Sequence, residues 1–232
     1  MRRRALLLAP AAALALPRIA RAFPDRTITL ATGPVVLVAR NGLARDWAGV
    51  AAAARARPGG LTYASAGNGS LPHVSFELLK LRSGIDVLHV PYRGGGPAAQ
   101  ALIAGEVQLN FGDTTTALMM TQSGNVRALA VTGGEPSPQF PGLPTLEQAG
   151  LRGFRSHTAY ALLAPAGTTQ PILDRLQAEI AAWMAIPERR DWLRAGGFVP
   201  MASTAEQYRQ ARAAESAMWG EIIRTRNIRM PS

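Results

Sequence analysis

Short apolar segments alternate with amphipathic segments along most of the chain. Apolar runs bounded by Gly, Pro or Asn predict strands at residues 28–30, 35–39, 61–66, 86–92, 107–113, 126–132 and 158–165. Helical spacing of apolar residues predicts helices at 46–54, 72–82, 98–104, 114–124 and 145–149, with longer ones after Pro171 and after Ser203. Strands that alternate with helices of about ten residues favour βαβ units around a mostly parallel sheet, and therefore an α/β fold.

Three turns between a predicted strand and a predicted helix are the candidate site. The first, "SAGNGSLPH", is rich in glycine, which lets the backbone approach a ligand closely. The others are Arg93–Gly96 and Asp113–Thr116. Ligands of open α/β sheets lie beyond the carboxyl ends of the strands, and the N–H groups in the first turn of a helix have no helical partner. These turns therefore predict a site for an anion.

The side chains at these turns each have two interpretations. Ser70 either caps its helix or donates its hydroxyl to a ligand, and His73 is either structural or turned towards the ligand. Arg93 can hold a carboxylate in bidentate geometry or lie solvated after its strand. Asp113 is expected to cap its own helix, although it can also bind a ligand hydroxyl or ammonium group.

The first 22 residues have the pattern of a secretory signal peptide. Three arginines precede an apolar run from Ala5 to Leu16, and Ala20-Arg21-Ala22 fits a cleavage site, so the mature protein is expected to begin at Phe23. The alternative, a membrane anchor, needs roughly 20 apolar residues, and Pro10 interrupts the run. Five arginines leave with the segment and no acid does, which lowers the formal net charge from +10 to +5.

Composition and motif searches argue against several classes of function. The chain has no cysteine, and its three histidines are far apart in sequence, so neither a thiol nucleophile nor a metal site is expected. Nucleotide-binding fingerprints and the Gly-x-Ser-x-Gly elbow are missing, so we expect no enzyme and no cofactor. Basic residues do not cluster with aromatic ones, which argues against nucleic acid. Ester hydrolysis by Ser70 is the alternative that turnover assays would test.

From Leu61 onwards the chain resembles the substrate-binding receptors of tripartite tricarboxylate transporters, the Bug family. The resemblance rests on "YASAGNGSLPH", "HVPYRGGGPAAQALIAGEVQLNFGD", "GNVRALAVTG", "PGLPTLEQAGLRGF" and "LLAPAGTTQPILDRL". It implies a periplasmic, two-lobed fold of the type II periplasmic-binding-protein class, a monomer that closes over a small carboxylate and delivers it to membrane permease subunits. Together with the turns, it gives a ligand-binding set that consists of Ser65, Ala66, Gly67, Asn68, Gly69, Ser70, His73, Tyr92, Arg93, Gly94 and Asp113.

One region departs from the family pattern. "RTITL" runs directly into "ATGPVVLVARNGL", where family members have a glycine-rich loop and further elements of the first lobe. We therefore expect a remnant of lobe 1 at residues 23–34, a near-complete lobe 2 at 35–156 and a mostly helical return to lobe 1 at 157–232. A shortened first lobe would leave its sheet without neighbours and expose apolar faces. The alternative function is that of a ligand-free interaction protein or remnant of the same family.

Overall fold

The computed structural model describes residues 27–165 and 167–229. Its strands are β1 (Thr27–Arg40), β2 (Thr62–Ser65), β3 (Leu88–Pro91), β4 (Leu109–Asp113), β5 (Val126–Val131), β6 (His157–Leu163) and β7 (Val199–Pro200). Its helices are α1 (Trp47–Ala56), α2 (Leu71–Ser83), α3 (Gly95–Ala104), α4 (Thr114–Gln122), α5 (Gln170–Ala185), α6 (Pro187–Ala195) and α7 (Ala205–Thr225). The predicted signal peptide and its cleavage site lie outside these residues.

Strand β1 is one continuous element that belongs to two groups of strands. Thr27–Pro34 pairs with β6, and part of it pairs with β7. Val35–Arg40 pairs with β4 and β5. The prediction of two separate strands here was wrong, because Gly33-Pro34 does not end the strand. Proline lacks the N–H that a strand ladder uses, and Pro34 lies where β1 changes from one set of partners to the other.

The strands of the larger group have the order β3-β2-β4-β1-β5. Strand β2 is parallel to β3 and β4, whereas β1 is antiparallel to every strand that it contacts. The expected α/β fold is confirmed, but the sheet is mixed rather than mostly parallel. The spacing of apolar residues identifies strands but not their direction. Strand β1 enters this group at the edge where β2, β3 and β4 end, so it runs antiparallel to β4.

Both faces of the larger group are covered. Along β1, Val35, Leu37 and Ala39 belong to one buried cluster, while Val36 and Val38 belong to the other. This alternation follows from the two-residue period of a strand. The first cluster contains the large buried aromatic side chains Tyr63, Phe76, Phe111 and Phe154. The core therefore fixes the strand ends that carry the three predicted turns.

Some local predictions gave the wrong element or the wrong capping residue. Residues 145–149 form turns and not a helix, although Thr145 and Gln148 exchange the two predicted capping hydrogen bonds. The capping box of α7 consists of Thr204 and Gln207, one residue later than predicted. The hydroxyl of Ser203 instead accepts a hydrogen bond from the Thr29 N–H. Helix α6 and the short strand β7 were not predicted.

Apolar side chains are exposed around α5, α6 and β6. Ile172, Leu176 and Trp183, which follow helical spacing, are 53%, 38% and 37% exposed, and Trp192 is 70% exposed. In α5 only Leu173 and Met184 are buried. Within the described ranges β6 pairs with β1 alone. The expectation of exposed apolar faces in this part of the molecule is confirmed. No helix among residues 27–165 and 167–229 has the length and apolar character needed to cross a membrane.

Candidate functional site

The carboxyl ends of β2, β3 and β4 bring the three predicted turns to one edge of the sheet. Ser65 and Pro91 end neighbouring parallel strands, and the Tyr92 N–H donates to the Ser65 carbonyl at 2.9 Å. Ala64 of β2 pairs with Asn110 of β4. A side-chain carbon on Gly67 would lie 3.5 Å from the Tyr92 carbonyl oxygen, so the first two turns are in contact.

The first turn depends on its glycines. Gly67 and Gly69 have φ values of +125° and +74°, a region that side chains disfavour. Ser70 closes the turn, because its N–H and its hydroxyl both donate to the Gly67 carbonyl, at 3.2 and 2.6 Å. The Ser70 side chain makes no capping bond to α2. Ser70 occupies the N-cap position of α2, but the interpretation of its side chain as the cap was wrong.

The amides of this turn divide into two sets. The Gly67 N–H donates to Ser65 Oγ at 3.1 Å, and the Gly69 N–H donates to His73 Nδ1 at 3.0 Å. These two amides were predicted to contact a ligand and are instead used within the turn. The N–H groups of Ala66 and Asn68 have no hydrogen-bond partner among the residues that the structure describes. The donors that remain for an anion here are therefore Ala66 and Asn68.

Two histidines form a stack beneath the first turn. The rings of His73 and His89 are 3.8 Å apart between centroids and inclined by 19°. His89 Nε2 lies 2.6 Å from Ser65 Oγ. Although these histidines are far apart in sequence, the parallel register that places Tyr63 opposite His89 brings them together. His73 is 8% exposed and Ser65 is fully buried, so both act on the turn from below.

Burial keeps both histidines neutral near pH 7. It lowers the pKa of His89 to about 4, with further lowering from the neighbouring His73 and Lys80. Burial also lowers the pKa of His73, and the Glu77 carboxylate partly opposes this effect. An unprotonated Nδ1 is what the Gly69 N–H needs as an acceptor.

The second turn presents open backbone amides. Gly94 has a φ of +112° and a ψ of 169°, a conformation that essentially only glycine adopts. Side-chain carbons on Gly94, Gly95 or Gly96 would have no neighbour within 4 Å among residues 27–165 and 167–229. In the described parts of the chain, the N–H groups of residues 93–96 have no hydrogen-bond partner. These amides begin the ten-residue helix α3.

Of the two side chains at the start of the second turn, Tyr92 has a hydrogen-bond partner and Arg93 remains available. The Tyr92 hydroxyl donates to Glu106 Oε2 at 3.1 Å. Burial, together with this bond to Glu106, raises the pKa of Tyr92. No ion pair is found for Arg93 in the portion of the chain that the structure describes, so its guanidinium stays available at the site edge.

The third turn is closed by a helix cap. Asp113 Oδ1 accepts a hydrogen bond from the Thr116 N–H at 2.8 Å, which confirms the predicted cap of α4. Burial raises the pKa of Tyr160, and the charge of Asp113 adds to this effect. Tyr160 belongs to β6, so the smaller group of strands approaches the site at this point.

A cavity of about 680 Å³ lies at the β5 side of the same sheet edge. Its lining includes Arg155, Arg190 and Arg194, and it contains none of the eleven predicted site residues. Arg155 is paired with Glu147, and Arg194 with Asp191 at 3.2 Å. We place the candidate site at the glycine turns, because their amides are uncompensated donors whereas two of these three arginines already have carboxylate partners.

Comparison with known proteins shows the family of this chain. The model of the tripartite tricarboxylate transporter family receptor matches residues 21–228. The chain is 32% identical over 192 residues to protein BugT of Bordetella pertussis, a match that covers 82% of this chain and 59% of BugT. The chain therefore spans less than two thirds of the length of this curated relative.

Two solved structures that contain small acids share the fold. One is Rpa4515 of R. palustris with adipate, at a TM-score of 0.79 and 29% identity, covering 88% of this chain and 69% of that one. The other is MatC of Rhodopseudomonas palustris with bound malate, at a TM-score of 0.72 and 29% identity, covering 85% and 69%. This chain belongs to the tripartite tricarboxylate transporter receptor family.

Proposed function

We propose that this protein is a periplasmic receptor that binds a small organic carboxylate at the first two turns. The observation that carries the proposal is the pair of adjacent turns whose N–H groups, at Ala66, Asn68 and residues 93–96, have no partner in the described chain. Two helices begin at these turns, so their dipoles add to the attraction for a negative charge. Arg93 adds a formal positive charge at the edge.

The ligand class rests on the site and on the similar structures together. A carboxylate offers up to four lone pairs to N–H donors, and hydrogen bonds to a charged group stabilise by roughly 1.5 to 3 kcal/mol each. Adipate and malate, the acids of the two similar structures, are both dicarboxylates. We propose that Ser70, Tyr92, Arg93 and Asp113 border the bound acid and that membrane permease subunits receive it from the monomeric receptor.

The family and its structural neighbours are solute-binding proteins, and we propose that this chain likewise carries out no catalysis. Ser70 donates its hydroxyl to the Gly67 carbonyl and not to a base, which leaves it poorly placed as a nucleophile. Ser65 does contact His89, but its side chain is fully buried. Neither serine has the exposed, base-activated geometry that ester hydrolysis needs.

A second candidate function is a ligand-free interaction protein of the same family. The exposed apolar side chains of α5 and α6 favour it, because they suit contact with another protein. We propose that residues 23–34 and 157–232 form a reduced first lobe and that residues 35–156 form the second lobe. A carboxylate held by the second lobe alone would be more hydrated and bound more weakly.

Thermal unfolding with a panel of carboxylates tests the two functions. We expect adipate, malate or a related acid to raise the melting temperature, because a ligand at 100 times its dissociation constant stabilises by about 2.7 kcal/mol. The double variant Gly69→Pro with Ser70→Ala should lose the shift, since proline cannot adopt the φ of +74° at Gly69. The absence of a shift with every acid, at concentrations up to tens of millimolar, would favour the interaction protein.

A further inference from the structure

The two stacked histidines hold opposite ends of the first turn. His89, from β3, contacts Ser65 at the start of the turn through Nε2, at 2.6 Å. His73, from α2, accepts the Gly69 N–H at the end of the turn, at 3.0 Å. Because the two rings are in van der Waals contact, 3.8 Å apart, the separation between these two anchors is fixed. Asn68, with its free amide, lies between them in sequence.

A buried charged cluster supports the stack from the other side. The Tyr63 ring stacks on His89 at 4.9 Å, and the Tyr63 hydroxyl donates to Glu77 at 3.1 Å. Glu77 is also paired with Lys80 at 3.3 Å and with Arg226 at 2.9 Å. Lys80 contacts Asp86 in turn, and Arg229 lines the same cavity as His73.

We propose that His73 and His89 are positioning residues that hold the first turn in its binding geometry while both are unprotonated, and that acid releases the bound carboxylate by protonating them. The inference rests on the proposed function and assigns the regulation of that same site. Neither ring needs to touch the ligand, because each acts through the backbone or through Ser65.

Protonation breaks the contact of His73 with the turn and places charge on the stack. A proton on His73 Nδ1 removes the acceptor for the Gly69 N–H and places two hydrogen donors face to face. Charging both rings also brings two positive charges to a separation of 3.8 Å. Glu77 favours protonation of His73 and Lys80 opposes it, while burial disfavours it for both rings. The turn is therefore stable at neutral pH and loosens in acid.

Two substitutions at His73 distinguish a role in positioning the first turn from a role in packing alone. Asparagine places its side-chain oxygen close to the position of Nδ1, so His73→Asn keeps an acceptor for Gly69 but has no proton to gain. His73→Leu keeps apolar volume and removes the acceptor. The matched control is His157→Asn, since His157 lies in β6 and pairs with Glu215 at 2.8 Å, away from the first turn.

The first measurement needs no ligand. Amide hydrogen exchange of Gly69, corrected for the intrinsic rate, should be slow at pH 7 and at least tenfold faster at pH 4 in the natural protein and in His157→Asn. His73→Asn should keep slow exchange across this range, and His73→Leu should exchange fast throughout. Gly69 exchange in His73→Leu that equals the natural protein at pH 7 would overturn the proposal.

The second measurement uses adipate and malate as probes, by calorimetric titration between pH 4 and pH 8. His89 and the carboxylates of the probes still take up protons towards pH 4 in His73→Asn. We therefore expect the loss of affinity between pH 8 and pH 4 to be at least tenfold larger in the natural protein than in His73→Asn, and the affinity of His73→Leu to be weak at every pH. An unchanged acid-dependent loss in His73→Asn would overturn the proposal. If no probe binds the natural protein at any pH, the proposed function fails, and the Gly69 exchange alone decides the positioning role.

Discussion

Replacing Glu77 with glutamine is expected to destabilise the protein by about 3 kcal/mol, at the lower end of the cost of breaking a buried ion pair. The Glu77 side chain is 9% exposed and meets Lys80, Arg226 and the Tyr63 hydroxyl. Arg226 Nε lies 2.9 Å from Glu77 Oε2 without the alignment of a hydrogen bond, so the attraction between charges is the main contribution. Glutamine keeps the volume, leaves Arg226 without a counter-charge and leaves Lys80 with Asp86 alone.

Thermal unfolding at neutral pH measures this loss. About 3 kcal/mol corresponds to roughly 6–12 °C in a chain of this size. The matched control is Glu179→Gln, because Glu179 pairs with Arg175 at 2.7 Å but both side chains are more than 60% exposed. Exposed pairs contribute about 0–1 kcal/mol, so this variant should unfold near the natural temperature. Equal melting temperatures for the two variants would show that the Glu77 cluster does not hold α7 to α2.

Replacing Gly94 with alanine is expected to weaken carboxylate binding at least tenfold, about 1.4 kcal/mol. At a φ of +112° and a ψ of 169°, a side chain costs on the order of 1–3 kcal/mol, which the turn relieves by rotating its backbone. The rotation redirects the N–H groups that are proposed to hold the ligand. No neighbouring atom of the residues that the structure describes lies within 4 Å of the added carbon, so a steric clash is not the cause.

Gly150→Ala is the control for backbone strain. Gly150 has a φ of +98° and equally open surroundings, but it follows the 145–149 turns and is not a site residue. Calorimetry should give the control the affinity of the natural protein, with a modest loss of stability in both variants. If Gly94→Ala binds as well as the control, the second turn is not part of the site.

Periodicity located most elements and the edge that carries the turns, because apolar spacing and glycine follow from local backbone geometry. It did not give the direction of β1, which depends on the strand's passage between two groups of strands. Ser203 and Thr204 both begin a capping-box pattern, and only the tertiary contact of Ser203 with Thr29 decides between them. The α5 spacing indicated an apolar face but not whether another element covers it.

At the site, the sequence identified the turns but not which amides are free. The Gly67 and Gly69 N–H groups donate to Ser65 and His73. The positions of Ser65 and His73 depend in turn on His89, which contacts Ser65 and stacks on His73. His89 lies 16 residues beyond His73 on another element, so no local pattern pairs them. The contact between the two histidines would have been predicted by aligning β2 and β3 in parallel register, which places His89 opposite Tyr63 and next to the glycine turn.

A titration of ¹⁵N-labelled protein with adipate and malate at pH 7, followed by amide NMR, tests the central claim most directly. We predict that the amide resonances of Ala66, Asn68 and Gly94–Gly96 shift in a saturable manner, consistent with new N–H bonds to a carboxylate. Residues 132–139, beside the 680 Å³ cavity, should change little. Saturable shifts confined to residues 132–139, with the amide resonances of the two glycine turns unchanged, would contradict the proposed carboxylate site.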